Sequence, residues 1–177
     1  MKKNKALLLS LAYVTMLCSC GNSVSLEKAK EHCATNYSQA SVEEKYASAS
    51  AKTVTDVKKS EGIFETFFKA GKTEEEIKYP VAIVTDKDLE TFGEDAKFTI
   101  NGKKLTVSGK VNLKELLDDA AEYAKGTSNV KNEYNEEGLL TKSTTNMDLT
   151  MNYSVAGITV SGALRCSMVT TITYTAK

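Results

Sequence analysis

The sequence predicts an α+β domain: an antiparallel, partly wrapped sheet of five to eight strands, with two or three helices on one face. Three observations predict it. Apolar and polar residues alternate along 147–174, the period of half-buried strands. Turn-forming residues separate further alternating runs. Elsewhere apolar residues recur at helical spacing. With 177 residues, 41% of them hydrophobic, the chain is long enough for one core.

The segment 147–174 carries the strongest strand signal. Apolar residues occupy the odd positions before Ala156-Gly157 and mostly even positions after it. A two-residue turn at Ala156-Gly157 places Met147 opposite Cys166, and residues directly opposite share a face of the sheet. Thr and Ser dominate the other positions, which predicts that the second face is solvated.

Other strands follow from turn chemistry. Asn101-Gly102 is a preferred pair for a tight hairpin turn, and it sets Phe98 opposite Leu105. A third turn, Asn135-Glu136-Glu137-Gly138, joins strands over 130–134 and 139–145. Additional strands are predicted at 53–59 and, after Pro80, at 81–85.

Two segments have apolar residues at the spacing of an α-helix. Ser25 is placed to cap a helix whose apolar stripe is Leu26, Ala29, Cys33 and Tyr37. Asn112 is placed to cap a second helix, which ends at Gly126. Its stripe is Leu113, Leu116, Leu117, Ala120, Ala121 and Ala124.

Two shorter segments have weaker helical signals. A short apolar face is formed by Ile63, Phe64, Phe67 and Phe68. Thr73-Glu74-Glu75-Glu76 has the pattern of a capping box that leads into a brief turn or helix. That pattern explains the acidic triplet better than a metal site does.

The first twenty residues have the features of an export signal. Lys2, Lys3 and Lys5 precede an apolar run over 6–17, which is too short to cross a bilayer. The next residues, Leu17-Cys18-Ser19-Cys20, resemble the lipobox of bacterial lipoproteins. The resemblance implies that Cys20 receives a diacylglyceryl group and becomes the N-terminus. The alternative is an ordinary secretory signal with a chance cysteine.

This resemblance sets the expected organisation: a signal peptide over 1–19, a lipidated tether over 20–25 and one ectodomain over 26–177. The signal contains three lysines and no acid, so the mature chain has a formal charge of −3. A mildly acidic chain is not attracted to anionic lipid or to nucleic acid. Acyl chains on Cys20 would therefore hold it on the extracytoplasmic side of the bacterial cell membrane. Membrane lipid is the one partner that the sequence indicates.

Two thiols remain after processing, Cys33 and Cys166. Each lies on the apolar stripe of its element, and disulfides persist in exported compartments. The sequence therefore predicts a Cys33–Cys166 disulfide. The alternative is two separate buried thiols.

The sequence contains no recognisable catalytic or metal-binding motif. His32 is the only histidine, and neighbouring helical side chains diverge, so it cannot act with Cys33; a partly exposed surface position is expected. Asp86-Lys87-Asp88 lacks the other ligands of a calcium loop. Asp118-Asp119 falls outside the apolar stripe and is expected in solvent. No phosphate-binding or hydrolase motif occurs, and no metal or cofactor is indicated.

Three classes of function stay open. The first is a membrane-anchored lipoprotein with a non-catalytic binding or structural ectodomain. The second is a carrier of lipid or another apolar ligand, with a cavity lined by Phe64, Phe67, Phe68, Met147 and Met151. By element order alone, such a sheet resembles the lipoprotein-carrier folds of bacterial envelopes. The third is an envelope enzyme with unrecognised paired acids.

Overall fold

A computed structural model describes residues 21–111, 124–155 and 158–177. One eight-stranded antiparallel sheet, in the order β1-β4-β5-β6-β7-β8-β2-β3, organises the chain, so β1 and β3 are its edges. The antiparallel sheet, the number of strands and the α+β class are confirmed. The strands are β1 Asn22–Val24, β2 Tyr46–Gly62, β3 Gly71–Tyr79, β4 Lys97–Asn101, β5 Lys104–Lys110, β6 Ala124–Tyr134, β7 Leu140–Val155 and β8 Ile158–Ala176.

Short helices fill the connections. They are α1 Leu26–Asn36, α2 Gln39–Lys45, a 3-10 helix over Ile63–Thr66 and α3 Asp86–Glu90. The predicted cap of α1 is confirmed, because Ser25 Oγ accepts from the backbone N–H of Lys28 at 3.4 Å. Within the described ranges, none of the helices is long and apolar enough to cross a membrane.

The C-terminal hairpin has the predicted register. Met147 pairs with Cys166 and Tyr153 pairs with Val160. Polar positions between them, such as Asp148 and Asn152, are exposed. The alternation of apolar and polar residues fixes this register, because a one-residue slip would move every apolar side chain to the other face of the sheet.

The β4–β5 turn lies one residue later than predicted. Gly102 and Lys103 form the turn, with Gly102 at φ +60°, and Phe98 pairs with Val107 instead of Leu105. Leu105 pairs with Ile100. The observed register matches two apolar pairs, whereas the predicted one would place Ile100 opposite Lys103. Gly102 supplies a positive φ in either register, as the second turn residue in the predicted one and the first in the observed one.

Three local predictions need correction. The segment Thr73–Glu76 belongs to edge strand β3 and is not a capped helix. The predicted strand over 81–85 is reduced to a single bridge between Ile83 and Leu139. The predicted helix over 112–126 falls largely outside the described residues, and its last part, from Ala124, belongs to β6.

Part of the segment predicted as a tether, 20–25, is a strand. Asn22–Val24 forms β1, which pairs with β4. In sequence, Gly21 is the single residue between Cys20 and this strand.

One face of the sheet carries the apolar residues, in separate clusters. The first, called here the helical cluster, joins Ala29 and Cys33 of α1 and Leu89 of α3 to strands β4–β6; its buried members are Ala29, Cys33, Tyr37, Val84, Leu89, Phe92, Phe98, Leu105, Val107 and Tyr134. The second, called here the turn cluster, is covered by the 3-10 helix; its buried members are Val57, Phe64, Met147, Leu149, Leu164 and Cys166. A small third cluster contains Ala49, Ala51 and Ile172.

Candidate functional site

The two thiols lie in different clusters and are not bonded. Cys33 is in the helical cluster and Cys166 is in the turn cluster, and both are buried and free. The predicted disulfide is therefore wrong for this structure. Periodicity predicts which face of the sheet a residue lies on. It does not predict the residue's position along the strand direction, and β8 alone has 19 residues. Burial raises the pKa of the Cys33 thiol to about 11 and also raises that of Cys166, so both are neutral thiols.

The single histidine supports structure at the β4–β5 turn. His32 Nε2 lies 3.1 Å from the backbone carbonyl oxygen of Lys103, and Tyr37 Oη donates to the same oxygen at 2.5 Å. The amide of Asn36 lies 3.2 Å from His32 Nδ1. His32 is partly exposed, as predicted. Its hydrogen-bond partners are an amide, a phenol and a backbone carbonyl, so no serine or cysteine nucleophile is positioned by it.

The other acidic motifs also have structural roles. Asp88 completes a capping box at α3, where its Oδ2 accepts from the backbone N–H of Thr85 at 2.7 Å. Glu74 forms an ion pair with Lys52 at 2.6 Å between β3 and β2. Asp118-Asp119 lies outside the described residues. In the part of the chain that the structure describes, no group of three or more His, Cys, Asp and Glu residues could hold a metal ion.

Most of the residues predicted to line an apolar cavity are brought together, but they pack against each other. Phe64 and Met147 are buried in the turn cluster, and Phe68 and Met151 lie half-buried against it. Phe67 is 73% exposed and takes no part in the cluster.

A close approach of backbone and ring explains how the 3-10 helix packs. Gly162 of β8 lies beneath Phe64: a Cβ at Gly162 would be 2.9 Å from Phe64 Cδ2 and 2.7 Å from the carbonyl oxygen of Glu61. The missing side chain lets the ring lie on the strand. The neighbouring side chains Ile63 and Phe67 then project outward, with exposures of 36% and 73%. We call Ile63 and Phe67 the exposed apolar tip.

An open groove of about 690 Å³ lies where β2 begins. Its lining includes Glu43, Tyr46, Lys78, Tyr79 and Lys177, and it includes none of the five predicted cavity residues. Burial raises the pKa of Tyr79, so its phenol stays protonated at neutral pH.

One side of this groove is fixed by an ion pair that the sequence did not suggest. Glu137 accepts from Tyr46 Oη at 2.6 Å and forms an ion pair with Lys45. The hydrogen bond from Lys45, followed by that from Tyr46, lowers the pKa of Glu137. The partners are 91 and 92 residues apart in sequence, so no local pattern could have linked them.

A second, smaller groove of about 300 Å³ includes polar residues of β6, β7 and β8. Arg165 and Asp148 form an ion pair there, with 2.8 Å between Arg165 Nη2 and Asp148 Oδ2. The rest of its lining is Lys58, Thr127, Asn129, Asn146, Met147, Cys166 and Ser167. Both partners of the ion pair are more than half exposed, which makes this a solvated surface depression.

Comparisons with models of protein families, with curated proteins and with solved structures found no match to this chain.

Proposed function

We propose that the protein is a bacterial envelope lipoprotein, anchored through acyl chains on Cys20, whose ectodomain acts by binding or scaffolding and not by catalysis. One observation carries the proposal: the lipobox-like run Leu17-Cys18-Ser19-Cys20 follows an apolar segment of signal-peptide length and a lysine-rich start. The position of β1 supports it, because this strand begins at Asn22, two residues after the proposed lipidation site.

The described surface supports binding as the ectodomain's role. The exposed apolar tip presents an aromatic side chain, Phe67, that is 73% exposed. Aromatic residues contribute strongly when a partner buries them. We also propose that the helices lie on the apolar face of the sheet. The packing of Ala29, Cys33 and Leu89 against β4–β6 supports this arrangement.

The carrier alternative loses its support at the residues that suggested it. Phe64 and Met147 fill the turn cluster, and the groove of about 690 Å³ lies elsewhere, with several charged residues in its lining. The groove is also open to solvent, whereas a carrier pocket encloses most of its ligand's surface. No observation among the described residues favours the envelope enzyme.

The anchor is tested by Cys20→Ser in cells that process lipoproteins. The variant should lose incorporation of labelled palmitate and should leave the detergent phase on phase separation. Cys18→Ser is the matched control: it also removes one cysteine, but it keeps a small residue within the lipobox, so lipidation and partitioning should be retained. Palmitate incorporation that survives Cys20→Ser would overturn the proposal.

A further inference from the structure

Almost no chain separates the proposed lipid from the folded sheet. Gly21 is the single residue between Cys20 and Asn22, the first residue of β1. Two residues span at most about 7 Å when extended. The protein therefore lacks the long flexible tether that would let its ectodomain turn freely above a membrane.

The direction of β1 determines which part of the sheet lies nearest to the lipid. β1 is antiparallel to β4, and Val24 pairs with Phe98 while Asn22 pairs with Ile100. Going back along β1 towards Cys20 thus leads to the β4–β5 turn. Gly21 lies against the end of β4, since a Cβ there would be 2.9 Å from the carbonyl oxygen of Ile100.

The surface of this turn suits an anionic lipid headgroup. Asn101, Gly102, Lys103 and Lys104 are all exposed, and the turn contains no acid. Within the described ranges, neither Lys103 nor Lys104 forms an ion pair, whereas Lys30, Lys45 and Lys52 do. Exposed lysines close to a bilayer are attracted by its negative surface potential, although the ectodomain as a whole is not basic.

The turn is attached firmly to the rest of the domain. The backbone carbonyl of Lys103 accepts from Tyr37 Oη at 2.5 Å, and His32 Nε2 lies 3.1 Å from the same oxygen. Tyr37 is buried in the helical cluster. The turn is therefore held against His32 of α1 and against Tyr37, the residue that follows this helix.

We propose that the sheet corner formed by the end of β1 and the β4–β5 turn lies directly on the phospholipid surface, with Lys103 and Lys104 at anionic headgroups. The inference rests on the proposed lipidation of Cys20. It adds a fixed orientation: the exposed apolar tip lies at the opposite corner, six strands across and about ten residues along the sheet. With ~4.8 Å per strand and ~3.3 Å per residue, the tip is roughly 40 Å from the anchored corner.

The chain contains no tryptophan, so a single introduced Trp reports its own surroundings. Asn101→Trp places the reporter at the turn and keeps both lysines, and Phe67→Trp is the matched reporter at the tip. Each lipidated protein is reconstituted in vesicles of phosphatidylcholine and phosphatidylglycerol that contain a headgroup-nitroxide lipid. We expect several-fold stronger quenching at position 101 than at 67.

The outcomes separate this inference from the proposed function. Mass spectrometry of the reconstituted protein first shows whether Cys20 carries lipid; an unlipidated chain overturns both proposals. A lipidated chain with equal quenching at the two positions, or with stronger quenching at 67, overturns the orientation alone.

The role of the lysines has its own test in the Asn101→Trp background. Lys103→Glu with Lys104→Glu should reduce quenching on vesicles with phosphatidylglycerol and have much less effect on vesicles of phosphatidylcholine alone. Lys72→Glu with Lys125→Glu is the matched control, since both are exposed lysines far from the turn, on β3 and at the other end of β6. Equal loss in the two double variants, or no loss in the first, overturns the headgroup contact.

Discussion

The helical cluster and the turn cluster lie on the same face of one sheet but are covered differently. Residues of α1 and α3 belong to the first, and side chains such as Leu89 and Leu105 are completely buried there. A single 3-10 helix covers the second, so Phe64 is buried while Phe67, three residues later, is 73% exposed. The difference shows how one apolar face can give both a well-covered end at the proposed anchor and an end with an exposed aromatic side chain.

The most severe test of this comparison is the state of the two cysteines. If Cys33 and Cys166 were bonded, the two clusters would be joined into one. We expect two free thiols per chain in the Cys18→Ser, Cys20→Ser double variant when it is unfolded without reductant and titrated with a thiol reagent, because Cys33 and Cys166 are then its only cysteines. The folded variant should react slowly, because both thiols are buried. A count of zero after unfolding would contradict the separation.

The next largest effect concerns the cover of the turn cluster. Phe64→Ala should lower the free energy of unfolding by about 3–5 kcal/mol, because it removes a buried ring and leaves a cavity above Gly162. Phe67→Ala is the matched control and should change the free energy by no more than ~0.5 kcal/mol. Urea denaturation measures both. Similar losses in the two variants would show that Phe67 is also packed.

A smaller effect is expected at the hydrogen bond that joins Tyr37 of the helical cluster to the β4–β5 turn. Tyr37→Phe removes the hydroxyl that donates to the Lys103 carbonyl, and it should lower the free energy of unfolding by about 0.5–1.5 kcal/mol. Tyr79→Phe is the control, because Tyr79 is half-buried but has no hydroxyl hydrogen bond within the described part of the chain. If Tyr37→Phe were as neutral as its control, the hydrogen bond from Tyr37 would not stabilise the turn.

The smallest effect is the pH dependence of the Glu137 ion pair. Its pKa is lowered from the ordinary value of 4.5, so the stabilisation is complete above that pH and is lost as the pH falls through the lowered pKa. Glu137→Gln should therefore be less stable than the wild type at neutral pH, and the difference should shrink below pH 4.5. Glu136→Gln, an exposed neighbour, should show little difference at any pH. A Glu137→Gln difference that grows on acidification would contradict the assignment.

Sequence reasoning predicted the elements whose signals are local. The β7–β8 hairpin was predicted because its alternation and its turn lie within one short segment. The helix α1 was predicted because its cap, Ser25, lies next to its apolar stripe. The β4–β5 register was missed by one residue, since Gly102 fits the turn in both registers and only the pairing of Ile100 with Leu105 decides between them.

The remaining errors come from contacts between distant segments. Thr73–Glu76 has the chemistry of a helix cap, but pairing with β2 makes it a strand. The predicted disulfide failed because alternation does not fix a position along the sheet. The contacts of Glu137 with Lys45 and Tyr46 join residues more than 90 positions apart in sequence, which no periodic pattern can predict.

The central claim, that Cys20 carries the membrane anchor, is tested most directly by the intact mass of the protein purified from membranes. Removal of 19 residues from the 177-residue chain leaves 158, beginning with Cys20. We expect the mass of this shortened chain plus a diacylglyceryl group, and a lipid-modified N-terminal peptide that contains Cys20. A chain that keeps residues 1–19, or one that begins elsewhere with an unmodified Cys20, would contradict the account.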